Sequence, residues 1–356
     1  MKKKVILVSD VHIKNRLWTN FSSVSGDSYA ALQKIAAYVN SNKDVPSVCI
    51  SCGDFFDSNR PSPVDLYEAS KFIESFDKFL YIAGNHDDAA PYLPSTLSCK
   101  CTLLDVSPVI VDNLYIFGVS HTPSKEKLFD SLHQIAAYWD DLGRPEDKHP
   151  IIVLHQALEG IQGNAIISPT ELESIFTFPC KVFIGDTHVN VNFCKSNCDI
   201  ISPGSLVPQN KAEALQDNYI YILDSETGEA TRCLLKVRHF KLAEDLTSCP
   251  SFPDASILPT VCLVRSNKVP SELKQQFKDI IFIEYPVTVK HNEEQSTIAA
   301  TQDMSLKEAV YAEFENAFPE KADVLKQIFD RIENIEDPSV FLDKLLTKWK
   351  VSYVTD

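Results

Sequence analysis

Phe79-Leu80-Tyr81-Ile82-Ala83-Gly84-Asn85-His86-Asp87 runs an apolar stretch straight into a polar cluster. Phe79 to Ala83 has the length and composition of a buried strand. The same arrangement occurs four more times. Val5 to Val8 leads into Ser9-Asp10-Val11-His12, and Val48 to Ser51 leads into Gly53-Asp54-Phe55-Phe56-Asp57. Ile151 to Leu154 ends at His155, and Val182 to Ile184 ends at Gly185-Asp186-Thr187-His188. Any one of these is ordinarily a turn or a cap. Together they predict an α/β fold with polar groups at the ends of several strands. In an open α/β sheet those ends line one crevice, where ligands bind. The clusters offer Asp, His and Asn, the ligand set of a two-metal hydrolytic centre.

The chemistry explains the residue types. A phosphoester is anionic and repels hydroxide. Two divalent cations ~3.5–4 Å apart neutralise its oxygens and generate a nucleophilic hydroxide. Asp54 is the natural bridge between them. Asp10 and His12, two apart at a strand end, can both aim at the first metal. Asn85 offers a neutral amide oxygen to the second, and His155 and His188 offer imidazoles from separate strands. His86, beside a ligand, is placed to act as general acid for the leaving alkoxide. Asp57 is expected to hydrogen-bond His86, raising its pKa and fixing its orientation.

The five motifs resemble the signature of the calcineurin-like metallophosphoesterases. Gly53-Asp54-Phe55-Phe56-Asp57-Ser58, the helix after it, Leu154-His155-Gln156 and Pro203-Gly204-Ser205 resemble, more narrowly, the SbcD-type DNA-repair nucleases. The resemblance implies an α/β/β/α sandwich with a small α+β capping domain and a helical C-terminal tail. It also implies Mn²⁺, or else Mg²⁺, as cofactor. Asp10, His12, Asp54 and His188 would hold the first metal, and Asp54, Asn85, His155 and Asp186 the second. Position 186 departs from the family pattern, which usually places His there. An aspartate still suits hard cations, but its added charge would weaken the Lewis acidity of the second metal.

The chain has 356 residues, enough for two or three domains, and 44% hydrophobic residues, enough for a sizeable core. Its ten cysteines are scattered, several within strand-like runs (Cys49, Cys180, Cys262), which suggests buried thiols in a reducing, cytoplasmic setting. Neither Cys99-Lys100-Cys101 nor Cys194 with Cys198 has the spacing of a zinc ribbon. The apolar run after Met1 is too short for a signal-peptide core, and no segment suits a membrane span. A net charge of −15 argues against a protein that grips DNA unaided. Affinity for a polyanion would come from a partner or from a local patch. Lys14, Arg16 and Arg60 are candidates for phosphate contacts, and so are the backbone amides of Gly204 and Ser205.

Coarse periodicity orders the rest. Tyr29 to Val39 carries Leu32, Ile35, Ala36 and Val39 at helical spacing. Ser62-Pro63 starts another helix, with Leu66, Ala69, Phe72, Ile73 and Phe76 on its buried face. Val109–Val111 and Leu114–Val119 read as a hairpin, as do Tyr219–Leu223 and Arg232–Val237. His121 is expected to be structural, and His133 and His149 to lie at the surface. The predicted division is a nuclease domain over 1–237, a β–α–β capping domain over 238–289, a polar linker over 290–304 and a helical tail over 305–356. That tail has three apolar faces, which suit a docking element.

The expected function is a two-metal DNA nuclease subunit, exonuclease or endonuclease, of an SbcCD-like recombination or repair complex. By resemblance its partners would be DNA and an SMC-like ATPase (SbcC-type) bound through the tail, with two copies forming a homodimer within a heterotetramer. Other readings of the same site are an enzyme for a small phosphoester or cyclic nucleotide, and an inactive scaffold of the same fold.

Overall fold

The computed structural model describes residues 3–18, 20–41, 47–162, 165–243, 257–264, 269 and 271–284. The expected linker and helical tail lie outside these residues. The first half holds β1 (Lys4–Val8), β2 (Ser47–Ser51), β3 (Lys78–Tyr81), β4 (Cys101–Leu103), β5 (Val109–Val111), β6 (Leu114–Val119) and β7 (His149–His155). There follow β8 (Cys180–Gly185), β9 (Val191–Cys194), β10 (Cys198–Ser202), β11 (Tyr219–Asp224), β12 (Ala230–Leu234), β13 (Phe240–Ala243), β14 (Thr260–Val264) and β15 (Ile280–Glu284). The helices are α1 (Asp27–Asn40), α2 (Pro63–Glu74), α3 (Leu93–Leu97), α4 (Lys125–Asp141), α5 (Pro169–Ile175) and α6 (Ser271–Gln276).

Two six-stranded sheets form the centre, in the orders β12-β11-β1-β2-β3-β4 and β5-β6-β7-β8-β10-β9. Within them β1 to β4 run parallel, as do β6, β7, β8 and β10, so the motif-bearing ends point the same way within each sheet. Strand alternation assigns each apolar residue to a layer. Val5, Leu7, Val48, Ile50, Leu80 and Ile82 meet Ile151, Val153 and Phe183 between the sheets. Ile6, Val8, Cys49, Phe79 and Tyr81 face the other way, onto Leu32, Ile35, Phe72 and Ile73 of α1 and α2. In the second sheet, Ile152 and Leu154 pack under Leu128, Leu132 and Trp139 of α4 and Leu172 of α5. The result is the expected α/β/β/α sandwich. It explains why the strands are apolar throughout: both of their faces are covered.

Local chemistry sets the element ends. Ser62 and Asp65 form a capping box at the start of α2, with Pro63 in its first turn. Ser168 and Glu171 do the same for α5. Both predicted hairpins are present, the second with its return strand at Ala230–Leu234 rather than running on to Val237.

The predicted β–α–β unit is larger by one strand. β13, β14 and β15 form a parallel three-stranded sheet. Val261, Leu263 and Ile283 pack against Trp18, Val24 and Ala214. Trp18 stacks on Phe240 and donates its indole N–H to the Pro208 carbonyl. Arg238 is buried and makes a bidentate pair with Asp27 at the start of α1, at 2.7 and 3.0 Å. The expected boundary at 237 therefore falls beside a buried ion pair that joins the small sheet to the sandwich.

Candidate metal centre

The polar clusters lie where the parallel strands end. Asp10 and His12 follow β1, Asp54 follows β2, Asn85 and His86 follow β3, His155 closes β7, and His188 follows β8. Among the described non-glycine residues, six have positive φ, and four of them are Asp10 (47°), His12 (45°), Asp54 (47°) and Asp186 (77°). Such backbone costs about 1–3 kcal/mol per residue and persists where its surroundings over-determine it. The turns also bring backbones very close. A Cβ on Gly84 would lie 2.1 Å from Asp54 Oδ1, and one on Gly53 would lie 2.3 Å from His155 Nδ1. The glycines of these two motifs are steric requirements of the site.

The side chains converge into three overlapping clusters: Asp10 with His12 and His188, Asp10 with Asp54 and His155, and His12 with Asp57 and His86. His155 Nδ1 donates to the Cys52 carbonyl at 2.7 Å. Its Nε2 therefore faces two oxygens, Asp54 Oδ2 at 3.4 Å and Asn85 Oδ1 at 3.1 Å. Burial disfavours the imidazolium, yet the hydrogen bond and charge of Asp54 outweigh it and push His155 up to about 10. Burial works against an ionised Asp54 as well. The His155 bond, with the nearby charges, still holds that carboxyl below the usual range. Asp10 is raised, chiefly by burial.

His12 is buried, and neither of its ring nitrogens has a hydrogen-bond partner. Burial drives its pKa down to about 3, so it is a neutral imidazole with a free lone pair. Its Nε2 lies 3.5 Å from Asp54 Oδ2. An orphaned buried imidazole among carboxylates is the arrangement a cation completes. The donor set of carboxylate, imidazole and amide oxygen suits a dinuclear divalent site. Asp10, His12 and His188 could hold one ion, and Asp54 and His155, with the Asn85 amide beside them, a second.

Three expected contacts take a different form. Asp57 does touch His86, but through its main-chain carbonyl, which accepts from His86 Nδ1 at 2.7 Å. Its carboxylate instead pairs with Lys14 Nζ at 2.5 Å and lies 3.7 Å from His12 Nδ1. The Asp186 carboxylate belongs to none of the three clusters. The main chain at 186 is engaged instead: its N–H donates to Asp10 Oδ1 at 2.9 Å and its carbonyl accepts from Gln162. The Gly204-Ser205 turn is buried, and its Ser205 amide is already engaged. Ser205 N–H donates to the His188 carbonyl and Leu206 N–H to the Asp10 carbonyl. This turn supports ligand-bearing loops.

Two contributors lie outside the predicted set. Asp87 is buried, and its carboxylate accepts from the amides of Phe55, Phe56 and Gly84, tying the Asp54 turn to the Asn85 turn. Burial, then the charge of Asp54, pushes Asp87 up to about 6. It ends the quoted Gly-Asn-His-Asp motif, which was its only signal. Glu213 hydrogen-bonds His188 Nδ1 at 3.1 Å and carries no sequence signal. His121 pairs with Asp88, and His149 donates to the Glu226 carbonyl. No cysteine takes part in a metal-ligand cluster among the described residues. Cys49, Cys180 and Cys262 are buried.

Beside the centre lies a cavity of about 440 Å³ lined by Lys14, Arg16, Asp57, Ser58 and Arg60. No helix among the described residues is long and apolar enough to cross a membrane.

The calcineurin-like phosphoesterase family model matches residues 3–190, more than half of the chain, and the chain belongs to that family. It is therefore a metal-dependent phosphoester hydrolase by family. No curated protein matches it. Among solved structures, an archaeal phosphodiesterase aligns at 18% identity and a TM-score of 0.36, covering 65% of this chain and 99% of that one. The protein TT1561 of Thermus thermophilus aligns at 11% and 0.41, covering 66% and 99%. A 5'-nucleotidase precursor from the same organism aligns at 10% and 0.41, covering 66% of this chain and 54% of that one.

Proposed function

We propose that the chain is a two-metal-dependent DNA nuclease, the nuclease subunit of an SbcCD-like repair complex. The observation that carries this reading is the cavity lined by Lys14, Arg16 and Arg60 next to the metal centre. Its lining sets Lys14, Arg16 and Arg60 against Asp57 and Asp65, a locally cationic balance on a protein of net charge −15. A single small phosphoester needs no such extension, whereas the phosphates flanking a scissile bond in a polymer would occupy it.

Divalent cations bound at this centre supply charge neutralisation for the phosphate and lower the pKa of water. The chain's own residues do the rest. The Asp57 carbonyl holds the Nδ1 proton of His86, so Nε2 is the nitrogen left to protonate the departing sugar oxygen. His86 N–H donates to Asp54 Oδ1 at 2.9 Å, tying the turn that carries the acid to the turn that carries Asp54. The Lys14 ammonium offsets the Asp57 carboxylate at the cavity mouth. The C-terminal segment 305–356, with its apolar residues at helical spacing, would dock an SMC-like ATPase, with two copies of the chain in the assembly.

The test is cleavage of end-labelled duplex and single-stranded DNA with Mn²⁺, run beside a generic bis-phosphodiester. Replacing Arg16 and Arg60 with Ala should raise KM for DNA and leave the small diester unaffected. Hydrolysis of the small diester or a cyclic nucleotide, with no cleavage of any DNA, would exclude the nuclease reading.

A further inference from the structure

His188 does not stand alone. Its Nδ1 lies 3.1 Å from Glu213 Oε1. A carboxylate only accepts, so Nδ1 carries a proton, and Nε2 is the nitrogen left to offer a lone pair to a cation. That Nε2 lies 3.8 Å from Asp10 Oδ1, on the side of the first cation position. We infer that Glu213 is a positioning residue that fixes the tautomer and direction of His188 for metal binding. This rests on the reading of the site as a metal centre.

Glu213 is itself immobilised. Its Oε1 also accepts from Asn210 Nδ2 at 2.6 Å. Its Oε2 accepts from the Gln209 amide at 2.8 Å and the Ser205 hydroxyl at 3.4 Å. Both oxygens are held, and the residue is 8% exposed. A buried carboxylate whose oxygens are both hydrogen-bonded is fixed in place, so it orients the ring that donates to it. The same loop grips the main chain of His188 through Ser205 N–H. Ala214, next to Glu213, is packed with Val261, Leu263 and Ile283 of the small sheet. The support behind the imidazole is therefore rigid. A carboxylate behind a metal-bound histidine fixes the ring and raises its basicity, and its loss lowers metal affinity by about 10–100-fold.

Metal-stripped full-length protein is titrated with Mn²⁺ by electron paramagnetic resonance. Wild type should bind two ions. Glu213→Ala should weaken one by about 10–100-fold and leave the other within about twofold. In a His188→Ala background the same change should add nothing to that site. Glu213→Gln, which keeps an acceptor for Nδ1–H, should retain part of the affinity. If wild type binds two ions and Glu213→Ala keeps both at wild-type affinity, the role of Glu213 is refuted while the metal centre stands. If wild type binds none, the metal centre itself is refuted, and this inference with it. Should the Ala variant fail to fold, wild type still decides. In the Mg²⁺-loaded protein, ¹H–¹⁵N correlation of the His188 ring must show the proton on Nδ1. A proton on Nε2 overturns the inference.

Discussion

At the scale of single residues, the site divides its labour between groups that would touch metal and one that would touch the leaving group. Asp54 is the residue the others face: His12, His155 and the His86 amide all lie within 3.5 Å of its oxygens. Asp54→Ala should abolish Mn²⁺ binding and hydrolysis together, as measured by metal titration and rate in parallel. His86 is exposed, and its Nδ1 is engaged by the Asp57 carbonyl. His86→Ala should keep both metals and slow DNA cleavage by about 10²–10⁴-fold, the usual contribution of a general acid. A diester with an acidic phenol as leaving group needs no such proton and should be spared. Loss of a metal from His86→Ala in an anomalous-scattering map would show that the imidazole is a ligand. Position 186 is the second residue-scale test. Its carboxylate is apart from the clusters while its amide holds Asp10. Asp186→Ala should therefore leave both Mn²⁺ affinities near wild type, and Asp186→His, which adds the imidazole usual in the family, should tighten the second. A selective loss of the second ion in Asp186→Ala would instead make that carboxylate a ligand.

At the scale of elements, the site depends on turns held by groups that never meet the substrate. The Asp87 carboxylate joins the turns after β2 and β3 through three amides, and the Ser205 turn holds those after β1 and β8. The loop between β1 and α1, which carries Lys14 and Arg16, is pinned from the far side by Arg238. That guanidinium pairs with Asp27 and also donates to the Ser25 and Pro259 carbonyls. Arg238→Ala would leave Asp27 buried and unpaired. Breaking a buried pair this way costs about 3–5 kcal/mol. The expected outcome is a clear fall in Tm, accompanied by weaker DNA affinity as the loop loosens. An unchanged melting curve would mean that the pair is already solvated.

At the scale of the whole molecule, the described fold closes by β15, so a chain ending near Asp303 should fold and still hydrolyse a small diester with Mn²⁺. It should fail to co-purify with a co-expressed SMC-like ATPase, and changing Ile328, Phe329 and Ile332 to Asp in the full chain should do the same. Capture of the ATPase by the shortened chain would remove the docking role from the tail. The sequence by itself determined the α/β class and the candidate ligand types, and the family resemblance added the sandwich. Strands covered on both faces must be apolar throughout, and a run such as Val5–Val8 ending at Asp10 and His12 shows both the strand and the site at its end. Only the tertiary structure decided which atoms meet. Asp57 contacts His86 through its carbonyl, Asp186 serves Asp10 through its amide, and Ser205 supports His188. The hydrogen-bond partner of the His188 ring, Glu213, comes from a loop 25 positions away in the chain. Hydrophobic pattern is local and repeats along a strand, so it can be read residue by residue. A hydrogen bond between loops depends on the path of each turn, and that path is set by backbone close approach and packing far from either partner.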